Sequence, residues 1–329
     1  MNFTISISLY SLVTYLDYPM KIGRKIAKAA CYAAILFLLA AGQVPAGEQC
    51  SQAAVGVQVL GSGGPEFYTD RASSGYLVWQ DGKAVVMVDA GSGSKFRFGQ
   101  SGADFNTINY ILFSHFHVDH SADFPGYIKS AFFSDRDRDL AVYGPEGNQF
   151  LPPASGFVKA LIGAEASAFP YLNRYLSGGD DYRIYVNDIN IDKRDVINVL
   201  KFADIKLSAI AVHHGPLPAL AWRVDIAGKS IVFSGDMNGG YHTLERLAKG
   251  ADLLVAHNAV SEQATGVARN LHMPPSVIGD IAQQAGVKKL VLSHRMHRTL
   301  GIEQQTLSII RKRFDKPVSF ANDLDCFIP

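Results

Sequence analysis

The chain has 329 residues, 48% hydrophobic and 19% charged, which suits a globular protein with a buried core and excludes a disordered one. Its 31 Lys+Arg and 30 Asp+Glu nearly cancel, leaving a net charge of +1. Such a balance holds no basic excess for gripping a polyanion by counterion release, so nucleic acid is not expected among the partners.

Lys21, Arg24, Lys25 and Lys28 precede an apolar run over 29–41, and Val44-Pro45-Ala46 adds small residues beyond it. That is the pattern of a secretory signal peptide over 1–47, cut after Ala46 or Gly47, with Met20 as an alternative start and a retained anchor as an alternative fate. The run is shorter than the ~20 residues a membrane span needs, so no stable span is expected in the mature chain. Loss of four basic residues and Asp17 would turn the net charge to about −2. A single domain over 48–329 would then work in the periplasm or outside the cell. Cys31 leaves with the leader, whereas Cys50 and Cys326 sit near the two ends of what remains. In an oxidising compartment they either pair or stay as separate thiols.

The pattern from 55 onward predicts a strand over 55–60, a Gly-rich turn over 61–65, and a hairpin of strands 74–79 and 84–88 turning at Asp81-Gly82. Val88-Asp89-Ala90-Gly91 closes that unit. A strand over 108–113 follows, then a helix over 123–133, a strand over 140–143, and a helix over 146–161 interrupted by Pro152 and Pro153. The less regular stretch 162–199 reads as a lid-like insertion, whose Phe169, Tyr171 and Tyr175 either line an apolar pocket or belong to the core. Strands at 205–212, 221–226 and 230–233 come next, then a helix over 243–249, a strand over 253–256, a helix from Pro274-Pro275 to Gly286, a strand over 289–292, a helix over 302–314 and a strand over 318–321. Polar groups repeatedly follow apolar strands. Strand layers flanked by helices would bring those loops to one edge.

All ten histidines lie between His115 and His297. The densest group, His115-Phe116-His117-Val118-Asp119-His120, directly follows the strand over 108–113, and His213, His214, His257, His272 and His294 lie at strand ends or beside turns. Neutral imidazoles and carboxylates on stiff strand ends suit a divalent ion, zinc by default and manganese or iron by similar ligands. Within the cluster direction alternates, so His115 and His117 can share one ion while Asp119 and His120 reach a second. His257, like His242 and His297, reads as structural.

His115-x-His117-x-Asp119-His120, preceded by Val88-Asp89-Ala90-Gly91 and followed by His214, Ser234-Gly235-Asp236 and Ser293-His294, resembles the metallo-β-lactamase superfamily. The resemblance implies an α/β fold, the four-layer αβ/βα sandwich. It also implies His115, His117 and His214 on one metal ion, Asp119, His120 and His294 on a second, Asp236 bridging, and Asp89 orienting a ligand histidine. His214 is preferred to His213 because Gly215 follows it. His272 is similar to the extra histidine of the tRNase Z and arylsulfatase-like branch, which meets the substrate's anionic group or protonates the leaving oxygen. Asp119 and His272 are thus the candidate catalytic residues.

The bridging aspartate departs from the familiar β-lactamases, which carry a cysteine there. The short span between His214 and Asp236 leaves no room for the long arm of tRNase Z enzymes, and the leader separates the protein from tRNA. The expected activity is therefore that of an exported dinuclear hydrolase opening a small sulfate, phosphodiester or carboxylic ester by attack of a metal-bridging hydroxide. The alternatives are a diiron oxidoreductase on the same fold, against which stand His117 where that class has Glu and the lack of a flavin-binding segment, and a metal-binding protein without turnover.

Overall fold

Strand β1 (Val55–Gly61) sends Val55, Val57 and Val59 to one face and Leu60 to the other, and all of it is buried. A strand apolar on both faces requires a layer on each side. The computed structural model describes residues 46–329, which belong to one compact unit. The leader read at 1–47 lies outside the described residues, apart from Ala46 and Gly47 in the first turn of the helix Ala46–Gln52. Among the described residues no helix is long and apolar enough to cross a membrane.

In the first sheet β2 (Gly75–Gln80) and β3 (Lys83–Ala90) continue β1 antiparallel, and β4 (Tyr110–Leu112), β5 (Leu140–Pro145) and β6 (Ile184–Ile189) add in parallel. In the second, β7 (Ile197–Phe202), β8 (Ile205–Ala211), β9 (Leu220–Ile226) and β10 (Lys229–Phe233) form an antiparallel meander. It is followed in parallel by β11 (Leu253–His257), β12 (Leu290–Ser293) and β13 (Val318–Phe320). Finally β14 (Cys326–Phe327) returns to the first sheet beside β1, so each sheet has seven strands.

Between the sheets Val78, Val88 and Leu112 meet Trp222, Val224 and Phe233. Leu77, Met87 and Ile111 face Phe124, Tyr127 and Val158 outside the first sheet, and Val232, Leu254 and Leu292 face Ile278, Ile281 and Ile310 outside the second. These are the four layers of the αβ/βα sandwich. Each fully buried apolar side chain of this kind contributes about 1.5–3 kcal/mol. Trp222 adds position as well as area, because its Nε1 donates to the Phe113 carbonyl at 2.9 Å and ties the end of β4 to the other sheet.

Three local expectations change. Pro152 and Pro153 do not interrupt a helix but precede one, Ala154–Ile162, as befits residues that lack an N–H. The stretch 162–199 is not wholly irregular: it contains β6 and opens β7, both edge strands whose half-exposed residues blur the alternation. The helices Ser94–Ser101 and Gly266–Leu271 have no counterpart in the sequence reading, and the second buries no residue at all.

Of the two readings for the cysteines, the structure has the pair. Cys50 and Cys326 are bonded with Cα atoms 5.6 Å apart across a sequence separation of 276 residues. Replacing both by serine is expected to lower the unfolding free energy by about 2–5 kcal/mol, read as a fall in Tm that reductant reproduces in the parent protein. Two freely titrating thiols and a reductant-insensitive Tm would contradict the bond.

Candidate metal centre

Strand direction alone gathers the polar groups. β3 and β4 run parallel, as do β10, β11 and β12, and β8 lies two antiparallel steps from β10. The carboxyl ends of these strands therefore share one edge, where Asp89 ends β3, His115 follows β4, His214 follows β8, Asp236 follows β10, His257 ends β11 and His294 follows β12.

Asp89 organises the start of the cluster. Its backbone is in the left-handed region, at φ 56°, a conformation that costs energy for a residue with a side chain. From there the carboxylate accepts the Ser114 N–H at 2.7 Å, the Ser114 hydroxyl at 2.8 Å and His120 Nδ1–H at 2.8 Å. With the proton on Nδ1, His120 Nε2 offers its lone pair to the site. Gly91 is required by close approach, since a Cβ there would lie 2.1 Å from the Asp119 carbonyl oxygen. His214 is set similarly: a carbonyl only accepts, so Nδ1 donates to Leu271 O at 2.9 Å and Nε2 faces inward.

Two donor groups result, His115, His117, His214 and Asp236, and His120, Asp236, His257 and His294. Asp236 belongs to both. Four donors about 2.0–2.1 Å from one ion stand roughly 3.4 Å from one another, which sets the test of fit. His214 Nε2 is 3.4 Å from His117 Nδ1 and 3.7 Å from Asp236 Oδ2, and His115 Nε2 is 3.9 Å from the same oxygen. On the second side His120 Nε2 lies 3.5 Å from Asp119 and 3.6 Å from Asp236, and His294 Nε2 lies 3.1 Å and 3.5 Å from those two carboxylates. Buried His115 Nε2 and His120 Nε2 have no hydrogen-bond partner, which a metal ion would supply. The residues fit a dinuclear site, with Asp119 completing the second group.

Protonation agrees with that fit. Burial pushes His115, His117 and His214 below the ordinary imidazole value, leaving them neutral with lone pairs free. Burial also works against charge on Asp119 and Asp236, yet the surrounding imidazoles outweigh it, holding Asp119 at about 2 and Asp236 well below the usual carboxylate range. For His120 burial opposes the proton, and Asp119, Asp89 and Asp236 overcome it; for His294 the same opposition yields to Asp236 and Asp119, so both histidines are raised. The carboxylates call for positive charge at the same atoms a metal would occupy.

His272 caps the helix Gly266–Leu271, with Nδ1 3.8 Å from Asp236 Oδ2 and no hydrogen bond on that atom. Burial pushes it down to about 3, so its imidazole is neutral. All seven proposed ligands and His272 thus meet at one place. His213 turns away, with Nδ1 2.7 Å from the Asn238 amide and its ring edge-on to Tyr241. His242 and His297 are largely exposed. The cavity over the site, about 420 Å³, has His117, Asp119, His272 and His294 on its floor and Pro65, Val267, Met296 and Arg298 around it. Phe169, Tyr171 and Tyr175 take no part in it. Their segment packs back on the helix Ala154–Ile162 through Ala168 N–H to Ala160 O and Phe169 N–H to Leu161 O, and Tyr175 is buried against Tyr182.

One residue of the centre escaped the sequence reading. His257, read as structural, is fully enclosed: its Nδ1 lies 2.8 Å from Asp236 Oδ1 and its Nε2 3.3 Å from the Tyr76 hydroxyl, which donates to Ser293 Oγ at 2.8 Å. It holds the shared carboxylate in place. Its position at the end of an apolar strand, like that of His214, Asp236 and His294, was the available signal. Asp236→Ala is expected to abolish binding of both ions, whereas His257→Ala should weaken metal affinity about 10- to 100-fold, measured by competition with a chromogenic chelator. Unchanged affinity in the His257 variant would remove it from the centre.

Residues 85–295 match the family model described as the beta-lactamase superfamily domain. A Ribonuclease Z of Haloferax volcanii is 27% identical over 80% of this chain and 92% of its own length. Among solved structures, the metallo-beta-lactamase fold protein YhfI from Bacillus subtilis superposes with a TM-score of 0.62 at 20% identity, covering 83% of this chain and 98% of that one. Human short-form tRNase Z gives a TM-score of 0.62 at 19% identity, again over 83% and 98%. Relatives named for cleaving RNA overturn the reading of an exported small-ester hydrolase with no nucleic acid among its partners. That reading leaned on overall charge, on the short span after His214 and on the expected leader, none of which describes the surface at the site itself. With the model match covering well over half of the chain, the protein belongs to the metallo-β-lactamase superfamily.

Proposed function

We propose that the protein is a metal-dependent hydrolase of phosphodiester bonds whose substrate is RNA, with two zinc ions as its cofactors. The observation that carries the reading is the sharing of Asp236 between two donor groups at the floor of an open cavity. Relatives with that family's fold are named as ribonucleases.

His115, His117 and His214 would hold one ion and Asp119, His120 and His294 the other, with Asp236 between them. Bound there, the ions would supply Lewis acidity and a water of near-neutral pKa. The chain's own residues do the remainder. Asp89 and His257 fix the directions of His120 and Asp236, so that little reorganisation is needed when substrate arrives. Arg298, on the cavity wall, provides a fixed positive charge for a phosphate oxygen. Its orientation is set by Nε–H donating to Ala259 O at 2.6 Å. His272 faces the space over Asp236 with a neutral ring and donates a hydrogen bond to the oxygen that departs from phosphorus. Hydrolysis then adds one water across the P–O bond, leaving a phosphomonoester and a hydroxyl.

The zinc-loaded protein is expected to cleave end-labelled RNA and, more slowly, bis(4-nitrophenyl) phosphate, with both activities lost on chelation and regained with zinc. Turnover of 4-nitrophenyl sulfate or butyrate without RNA cleavage would overturn the substrate. His272→Ala should lower turnover about 10²- to 10⁴-fold while metal content stays at the parent value. Metal loss in that variant would instead make His272 part of the metal shell.

A further inference from the structure

Phe67 is fully exposed, with 101% of its reference surface open to solvent, in the loop between β1 and β2. The loop that carries it is firmly tied. Ser62 N–H and Ala72 N–H donate to the two oxygens of Asp323, at 3.0 and 2.7 Å, and Gly63 N–H donates to Ala72 O at 2.9 Å. On either side of Phe67 the neighbours bind inward: Glu66 Oε2 accepts the His297 N–H at 2.6 Å and the Tyr68 hydroxyl at 2.8 Å, and the Tyr68 ring stands edge-on to His297 with centroids 4.7 Å apart. A large apolar ring on a fixed support, left bare of packing among the described residues, gains nothing for their fold.

The loop that carries it passes beside the metal centre. Gly64 lies so close to His294 that a Cβ there would meet Cε1 at 2.9 Å, and Pro65 lines the cavity. Phe67 follows Gly64 by three residues, at most about 10 Å of chain. Val267, 74% exposed, and Arg298 line the same cavity. A ring of this kind near a site for a phosphodiester offers what a nucleobase needs: a π-face at the edge of a cavity whose wall carries the Arg298 guanidinium.

We infer that Phe67 is a specificity-determining residue of this protein, the platform on which a nucleobase beside the scissile phosphate stacks. The inference rests on the reading of the protein as an RNA phosphodiesterase. Stacking of this type is sequence-tolerant, since every base has a π-face, so the platform would select a base-bearing strand over other phosphodiesters and leave the base itself unspecified.

The test compares zinc-loaded parent protein with Phe67→Ala and Phe67→Trp on a short single-stranded RNA, on the same RNA with abasic positions, and on bis(4-nitrophenyl) phosphate. Phe67→Ala should raise KM for the RNA about 5- to 100-fold with kcat little changed, and Phe67→Trp should restore it. On abasic RNA the parent and Phe67→Ala should have the same KM. A binding readout accompanies the kinetics: 2-aminopurine in the RNA should be quenched by the parent and by Phe67→Trp but not by Phe67→Ala. An unchanged KM for intact RNA, or an equal loss on abasic RNA, overturns the stacking role. So does a mass measurement in which Phe67→Ala converts a dimer to a monomer, which would give the ring to a second copy of the chain. If the parent hydrolyses bis(4-nitrophenyl) phosphate but no RNA, the RNA reading itself fails and the platform with it, an outcome separable from failure at Phe67 alone.

Discussion

The carboxylate of Asp236 lies in van der Waals range of six imidazoles from both halves of the chain, His115, His120, His214, His257, His272 and His294. A buried charge of this kind is tolerable only when compensated, and the imidazoles gathered around it include buried ring nitrogens, His115 Nε2 and His120 Nε2, that also need a partner. Each half of the centre is thus incomplete without a cation, and both halves place their demand on the same two oxygens. Much else in the fold can be understood as the support for that arrangement. Trp222 ties β4 to the opposite sheet one residue before Ser114, Asp89 accepts a strained backbone to clamp Ser114 and His120, and His257 braces the carboxylate from below through Tyr76 and Ser293.

The four layers serve the centre by making its ligands stiff. Donors borne on loops would each lose conformational freedom when a metal ion arrives, at a cost of about 1–2 kcal/mol per residue fixed. Here most donors stand within a few residues of buried strand ends, Asp119 and His120 stand on the short helix Val118–Ser121, and that ordering is already present in the folded chain. The helix Gly266–Leu271 and the loop bearing Phe67 lie outside the strands and border the cavity, the helix also setting His214 through Leu271 O.

Elements with strong local patterns were legible in the sequence. Strand β1 places valine at every second position, the hairpin turns at Asp81-Gly82 with φ of 46° and 79°, and the crowding of His115, His117, Asp119 and His120 has few structural explanations. Edge strands β6 and β7 were not legible, since one flank of each is open and their residues are only partly buried. The role of His257 was hidden for a different reason: its partner Asp236 is 21 residues away, and only the parallel pairing of β10 with β11 brings the two together. Substrate was misread because it was inferred from net charge, from a missing arm and from the expected leader. None of those describes the side chains around the cavity.

The bond between Cys50 and Cys326 makes almost the whole described chain a covalent ring whose seam lies beside β1. Mechanical load applied to the two ends would pass across that seam and bypass both sheets. The strands that carry the metal ligands would feel little of it, and tension on a leading segment would leave the centre's geometry intact. Under pulling, then, the resistance of this fold is that of one sulfur–sulfur bond, where an unbridged sandwich would have only its edge-strand hydrogen bonds.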